Sequence, residues 1–187
     1  MPMLNARLAR PELLVDLVLR ERDRAQRLQI LDLGTGSGVL AITMALELPL
    51  VDVTATDVSP AALAVARGNA DALGARVHFI ESDWWSALAD RRFDLIVSNP
   101  PYIAPADPHL GQGDLRFEPS GALVGRGRAG AGDLAEIVRS ARAHLRPFGS
   151  LLVEHGWDQG SAVRASLSAA GFDAVTATKD LGGKDRA

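Results

Sequence analysis

With 187 residues, 47% of them hydrophobic, the chain can bury one substantial core, and a single domain spanning 1–187 is the economical expectation. A formal net charge of −3 and an isoelectric point near 5.8 argue against a broad basic face for nucleic acid, and the lack of cysteine excludes disulfides, thiolate metal sites and a cysteine nucleophile. No apolar run reaches the length of a membrane span and the first residues carry no signal-peptide core, so a cytoplasmic protein without a membrane partner is expected.

Strand and helix patterns alternate along the chain, as a parallel α/β sheet requires. Arg10-Pro11 opens a helix whose Leu13, Leu14, Leu17 and Val18 recur at helical spacing ahead of the charged run Arg20 to Arg24. The apolar run Leu28 to Leu33 predicts a strand entering the turn Gly34-Thr35-Gly36-Ser37-Gly38, followed by a helix through Leu40, Met44 and Leu48. Glycines permit positive φ and close backbone approach there, while the helix start offers N–H groups to a polar or anionic ligand. The GxGxG spacing departs from the GxGxxG form of dinucleotide sites, and a plain loop is the alternative.

A second strand, Val51 to Thr56, ends at Asp57. An acid at this strand tip accepts hydrogen bonds from ribose hydroxyls in folds of this kind; the competing reading is a helix-flanking acid beside Ser59-Pro60. Ser59 as N-cap, Pro60 in the first turn and Gly74 as stop delimit the next helix. A third strand, Val77 to Ile80, leads into Ser82-Asp83-Trp84-Trp85, where an acid beside an aromatic suits the amino group and ring of adenine. One of the two tryptophans is expected in the core.

The strand Phe93 to Val97 closes on Asn99-Pro100-Pro101-Tyr102. Two prolines fix φ and remove two N–H donors, leaving the Asn99 side chain and the Pro100 carbonyl to face whatever enters. This acceptor-rich clamp suits an –NH2 group on an sp2 carbon; the plain alternative is a proline-stiffened turn. Gly121 to Gly132 reads as a mobile surface loop. Asp133 is expected to cap a helix through Ile137 and Ala141 towards Arg146-Pro147, and Leu151 to Glu154 to form a fifth strand. Gln159 to Ala170 predicts a last helix stopped by Gly171, and Ala174 to Thr178 a sixth strand.

Glycines at the first strand tip, an acid at the second, Asp-Trp at the third and NPPY at the fourth form an ordered set, and in open α/β sheets such tips converge on a ligand at the switch point. With the segment Asn99 to Leu123, with Val153-Glu154-His155-Gly156-Trp157 and with Gln159-Gly160, the chain resembles the class I S-adenosylmethionine-dependent methyltransferases. Within them it is similar to the bacterial peptide-chain release factor glutamine methyltransferases, from about Arg10 to Arg186. The resemblance implies a Rossmann-like α/β fold, a mostly parallel doubly wound sheet with helices on both faces. Two departures from the family are expected: no seventh strand, since the chain stops at Asp185-Arg186-Ala187, and no N-terminal helical domain.

The resemblance further implies S-adenosyl-L-methionine held by Gly34, Thr35, Gly36, Ser37, Gly38, Asp57, Asp83, Trp84 and Asn99. The substrate, the glutamine of the Gly-Gly-Gln motif of a release factor, is expected on Asn99, Pro100, Pro101 and Tyr102, with Asn99, Pro100 and Tyr102 catalytic and no metal. Asn99 and the Pro100 carbonyl would take both amide hydrogens, and Tyr102 would pack on the amide plane. Arg116, Phe117, Glu118 and Pro119 would shape the substrate side, or form a salt-bridged loop. No histidine among His78, His109, His144 and His155 is given a catalytic role, although His155 is the one placed to border the site. A monomer without direct nucleic-acid contact is expected. The competing readings are an adenine or cytosine amino-methyltransferase, which must flip its base, and a domain that binds the cofactor without turnover.

Overall fold

The computed structural model describes residues 10–21, 26–103, 123–127, 131–156 and 158–178. The chain divides into two units, one formed by Pro11–Asn99 with Ala143–Leu152, the other by Met1–Arg10, Pro100–Arg142 and Val153–Ala187.

The first unit is a sheet wrapped by helices: α1 (Arg10–Glu21), β1 (Leu28–Leu33), α2 (Val39–Glu47), β2 (Val51–Asp57), α3 (Pro60–Leu73), β3 (Val77–Glu81), β4 (Phe93–Ser98) and β5 (Leu145–Val153). The strand order is β3-β2-β1-β4-β5, and β1 pairs in parallel with both β2 and β4, as β2 does with β3. The chain winds outward from β1 to β3, then returns to the other side of β1. That reversal creates the switch point, at which the carboxyl ends of β1 and β4 lie side by side. Register places Leu33 opposite Thr56 and Asp32 opposite Val97, so the glycine turn leaves the sheet beside both Asp57 and the end of β4.

Ile30, Leu31, Leu33, Leu95, Ile96 and Val97 are essentially inaccessible. Successive residues of a strand face opposite sides, so burial of both sets means that both faces of the central strands are covered, which is why these strands read as unbroken apolar runs. Helix α2 contributes Leu40, Ile42 and Met44 to the core, α3 contributes Leu63, Ala66 and Ala70, and α1 contributes Leu14, Val15 and Val18. Full burial of a leucine or methionine stabilises by about 1.5–3 kcal/mol, so these faces fix each helix on the sheet. Helix α3 has the expected ends: the Ser59 hydroxyl accepts from Ala62 N at 3.2 Å, and Gly74 is left-handed at φ 68°.

The second unit contains α4 (Gly132–Ala141) and α5 (Gly160–Ala169), packed against each other, and a parallel bridge between Ile103 and Val124. Three expectations are corrected. Asp133 does not cap α4: Ala131 occupies the N-cap, while Asp133 lies in the first turn and accepts from the backbone N of Arg126 at 2.7 Å and from its guanidinium. The fifth strand starts six residues before Leu151, at Leu145, and stops at Val153, leaving Glu154 beyond it. Ala174 to Thr178 is not a strand; Ala174 sits at φ 51°, which breaks an extended run, and no strand of the sheet pairs with these residues. Of the loop Gly121 to Gly132, the described part includes Arg126, clamped by Asp133 as above.

Candidate active site

The glycine turn is built by hydrogen bonds that converge from two strands and two helices. Gly34 N and Thr35 N both donate to Thr56 O, at 2.9 and 2.8 Å, which fastens the end of β1 to β2. The Thr35 hydroxyl donates to Asp32 Oδ2 at 2.6 Å, and Ala41 N donates to the same oxygen at 3.1 Å. Thr35 is therefore buried, with hydroxyl and amide both directed inward. Gly36 N donates to Asp57 Oδ2 at 2.8 Å, and Asp57 Oδ1 accepts from Ser59 N at 2.9 Å. From α3, Asn69 donates its amide to the carbonyl of Ser37 at 2.9 Å.

Gly38 is required as glycine: φ is 88°, and an added Cβ would stand 2.9 Å from Ile42 Cδ1 and 3.1 Å from Ala66 Cβ. At Gly36 the same test finds open space, with nothing within 4 Å. The turn is thus packed hard underneath and open on top.

Asp32 is fully buried, and its Oδ1 has no hydrogen-bond partner among the described residues. Burial pushes its carboxyl up to about 6; the Thr35 hydroxyl and the Ala41 amide pull it down, and the charge of Asp57 adds to the rise. Sequence reasoning missed this group, although a lone acid inside the apolar run Ile30-Leu31-Asp32-Leu33 was the signal. It also missed Asn69, and Val58, an apolar residue directly after the strand-tip acid that is 64% exposed.

Trp84 and Trp85 divide as expected. Trp85 is buried and stacks on His144, ring centroids 4.6 Å apart, so His144 is structural. Trp84 stands at φ 45° with its ring edge on the glycine turn, where a Cβ on Gly34 would lie 3.1 Å from Trp84 Cζ3. The Ser82 hydroxyl holds that conformation by donating to Trp84 O at 2.8 Å while accepting from Ala87 N. Asp83, beside it, is exposed. The structure therefore brings together Gly34 to Gly38, Asp57 and Trp84, with Asn99 at the end of β4, next to β1. His78 lies elsewhere, beside Asp52 on the exposed amino-terminal side of the sheet, where a cavity of about 450 Å³ is lined by Arg67, Asp71, His78, Phe79 and Arg91.

Past Asn99 the chain enters the second unit. Pro100 is buried, and Pro101 and Tyr102 are half-buried. The Tyr102 hydroxyl donates to Glu154 Oε1 at 2.9 Å, and its carbonyl accepts from Gln159 Nε2 at 3.2 Å. Gln159 Oε1 in turn accepts from Gly156 N at 2.9 Å, and the ring of the buried His155 bonds Gly156 O through Nδ1. Arg116, Phe117, Glu118, Pro119, His109 and Trp157 lie outside the described residues. Among those described, no cluster of His, Cys, Asp or Glu could hold a metal ion, and no helix is long and apolar enough to cross a membrane.

A parallel sheet with this order, a glycine turn after β1, an acid ending β2 and a proline-rich loop after β4 define a Rossmann-like domain of the class I methyltransferase type. Comparison with known proteins agrees. Residues 12–112 match the Methyltransferase small domain family. A release factor glutamine methyltransferase of Xylella fastidiosa is 52% identical over 179 residues, covering 95% of this chain and 65% of the relative. That of Neisseria gonorrhoeae is 46% identical, covering 97% and 67%. Among solved structures, the 16S rRNA N2 G1207 methyltransferase of Thermus thermophilus, in complex with AdoMet and guanosine, is 28% identical at a TM-score of 0.55, covering 76% of this chain and 33% of that one. The chain belongs to the Methyltransferase small domain family and, within it, to the release factor glutamine methyltransferases. It spans about two thirds of the length of these curated relatives.

Proposed function

We propose that the chain transfers a methyl group from S-adenosyl-L-methionine to the side-chain amide nitrogen of the glutamine in the Gly-Gly-Gln motif of peptide-chain release factors. The observation that carries this reading is Asn99-Pro100-Pro101-Tyr102 directly at the carboxyl end of β4, the strand paired with the one that ends in the glycine turn. The names of the relatives support the substrate, and the Thermus structure supports the cofactor.

The residues present fit that cofactor. Gly36 leaves open room above the turn, Asp57 presents a carboxylate at the tip of β2, and Val58 and the Trp84 ring offer apolar surface for a base. Both Asp57 oxygens already accept one backbone N–H each, which orients the carboxylate and leaves its remaining lone pairs for ribose hydroxyls. Gly34, Thr35, Ser37 and Gly38 shape the turn, and Asp83 stands beside Trp84 to meet an amino group. When bound, the cofactor supplies an electrophilic sulfonium methyl.

The chemical obstacle is the amide nitrogen, whose lone pair is delocalised into its carbonyl. Asn99 Oδ1 and the Pro100 carbonyl accept its two hydrogens, turning the nitrogen so that its lone pair can localise towards the methyl. Tyr102 packs on the amide plane. This is catalysis by orientation and preorganised acceptors. No strong base is needed before attack, because the alkylated amide is acidic and loses its proton late.

The test is methyl transfer from labelled cofactor to a release-factor domain presenting its Gly-Gly-Gln loop, read by mass spectrometry, with single-stranded and duplex DNA alongside. Methylation of the glutamine is expected, and Asn99→Ala should lower kcat by about 10²- to 10³-fold with cofactor affinity nearly retained. Transfer to DNA and not to the protein would overturn the substrate; cofactor binding without transfer to either would leave a binding domain.

A further inference from the structure

The segment Glu154-His155-Gly156-Trp157-Asp158-Gln159 is not absorbed by the reaction just described, yet two of its side chains end on Tyr102. Glu154, only 1% exposed, receives the Tyr102 hydroxyl at 2.9 Å. The amide of Gln159 lies between two backbones 54 residues apart in sequence, donating to Tyr102 O at 3.2 Å and accepting from Gly156 N at 2.9 Å. A planar amide used at both ends sets distance and direction together, as a single bond would not. Position 156 is matched to it: a Cβ there would stand 3.0 Å from Gln159 Oε1 and 3.1 Å from its Cδ, so any larger residue would press on the amide. The next residue of the loop is also tied, since Ile103 N donates to Leu123 O at 3.0 Å and Gly125 N donates to Ile103 O at 3.1 Å.

We propose that Gln159 and Glu154 are positioning residues that clamp Tyr102 at its carbonyl and at its hydroxyl, fixing the backbone of the NPPY loop for a planar substrate group. The kinetic part of this inference rests on the glutamine reading above; the clamp itself does not. Tyr102 needs such help because the two prolines before it carry no N–H and cannot anchor the loop through backbone donors. Holding both ends makes Tyr102 a fixed platform. Its hydroxyl is already directed to a buried carboxylate, so it serves the substrate by shape. This predicts preference for a flat amide over a tetrahedral amine.

The experiment uses the whole chain and three variants at Gln159, with folded protein counted by cofactor-binding stoichiometry. Gln159→Met keeps the volume and removes both hydrogen bonds, and Gln159→Ala removes both and the volume. For each, kcat on the Gly-Gly-Gln protein should fall about 10- to 100-fold, as expected for slight misplacement of a reacting group, with cofactor affinity within about twofold. Gln159→Glu keeps the acceptor for Gly156 but sets a carboxylate oxygen against Tyr102 O. Protonation restores the donor, so its kcat relative to wild type should climb as pH falls, which a merely structural role would not produce. Glu154→Gln should retain most activity, because its amide oxygen still accepts from Tyr102, whereas Glu154→Leu should not. Amide exchange at Gly156 and Ile103 reads the clamp without turnover and should quicken in Gln159→Met. If wild type proves inactive on the release factor while exchange quickens in Gln159→Met, the substrate reading fails and the clamp stands. Unchanged exchange, a kcat in Gln159→Met within twofold of wild type, or equal losses in Glu154→Gln and Glu154→Leu would overturn it.

Discussion

Replacing Asp32 by asparagine tests whether burial under the glycine turn raises the proton affinity of this acid. The carboxyl is fully buried, and burial raises it from 3.8 to about 6 against the pull of the Thr35 hydroxyl and the Ala41 amide. In the unfolded chain the acid ionises near 3.8, while in the folded chain it holds its proton until about 6. Between these values the folded state binds more protons, so this group's contribution to stability is greatest at low pH, declines as pH rises through that window, and is flat above it. The displacement is worth about 3 kcal/mol, at about 1.4 kcal/mol for each tenfold in proton affinity. An asparagine keeps the oxygen that accepts from Thr35 and Ala41 but cannot ionise.

The assay is urea unfolding followed by tryptophan fluorescence, for wild type and Asp32→Asn, between about pH 4 and pH 8. Other acids affect both proteins equally, so the informative quantity is the difference between the two curves. Wild type should lose about 2 kcal/mol relative to the variant between pH 4 and pH 7, with little change beyond. A difference flat with pH would show that the carboxyl ionises normally in the folded protein, and the argument from burial would fail. Thr35→Val adds a check of sign: without the hydroxyl that stabilises the carboxylate, the midpoint of the decline should move to higher pH.

Asp57→Ala should weaken S-adenosyl-L-methionine binding about ten- to a hundredfold, the worth of hydrogen bonds to a charged acceptor, and unchanged affinity by calorimetry would remove Asp57 from the ribose role. Gly38→Ala should cost about 2–4 kcal/mol of unfolding free energy in urea, because φ of 88° is unfavourable with a Cβ and that atom would press on Ile42 and Ala66. Phe148→Gly should do the reverse: the phenylalanine is fully exposed at φ 65°, so no packing is lost when the strain goes. A gain of about 0.5–1 kcal/mol, a few degrees in Tm by calorimetry, is expected after allowing for the added freedom of glycine.

The elements that sequence reasoning placed well are those whose cause is local. Ser59-Pro60 and Gly74 end a helix by their own chemistry, and the apolar runs Leu28 to Leu33 and Phe93 to Val97 can only be strands buried on both faces. Strand existence at a sheet edge is different, because pairing creates it. Ala174 to Thr178 has the composition of a strand and lacks a neighbour among the described residues; the expected strand begins at Leu151, and yet Leu145 to Ser150 belong to β5. Asp133 departs from the expected cap for a related reason. Position and residue type suit a cap, but the backbone and guanidinium of Arg126 offer a charged acceptor more than one helix N–H can.

The candidate site divides along the same line. The residues proposed to meet a ligand stand at strand tips and announce themselves by type and spacing: glycines, an acid, an aromatic, an asparagine before prolines. Residues that hold those in place do so through partners far away in sequence. Glu154 reaches Tyr102 across 52 positions, and Asn69 reaches Ser37 across 32. Nothing in the neighbourhood of either residue foretells its partner, since the distance is closed only by the fold. The same holds for Asp32, whose proton affinity depends on what covers it. A chain can therefore disclose which chemistry it is equipped for while concealing how firmly the groups are held. In the proposed reaction, where the lone pair of an amide nitrogen must be turned towards a methyl group, that firmness decides the rate. The proposed clamp on Tyr102 and the buried acid beneath the glycine turn are accordingly where variants distant from the reacting atoms should alter activity most.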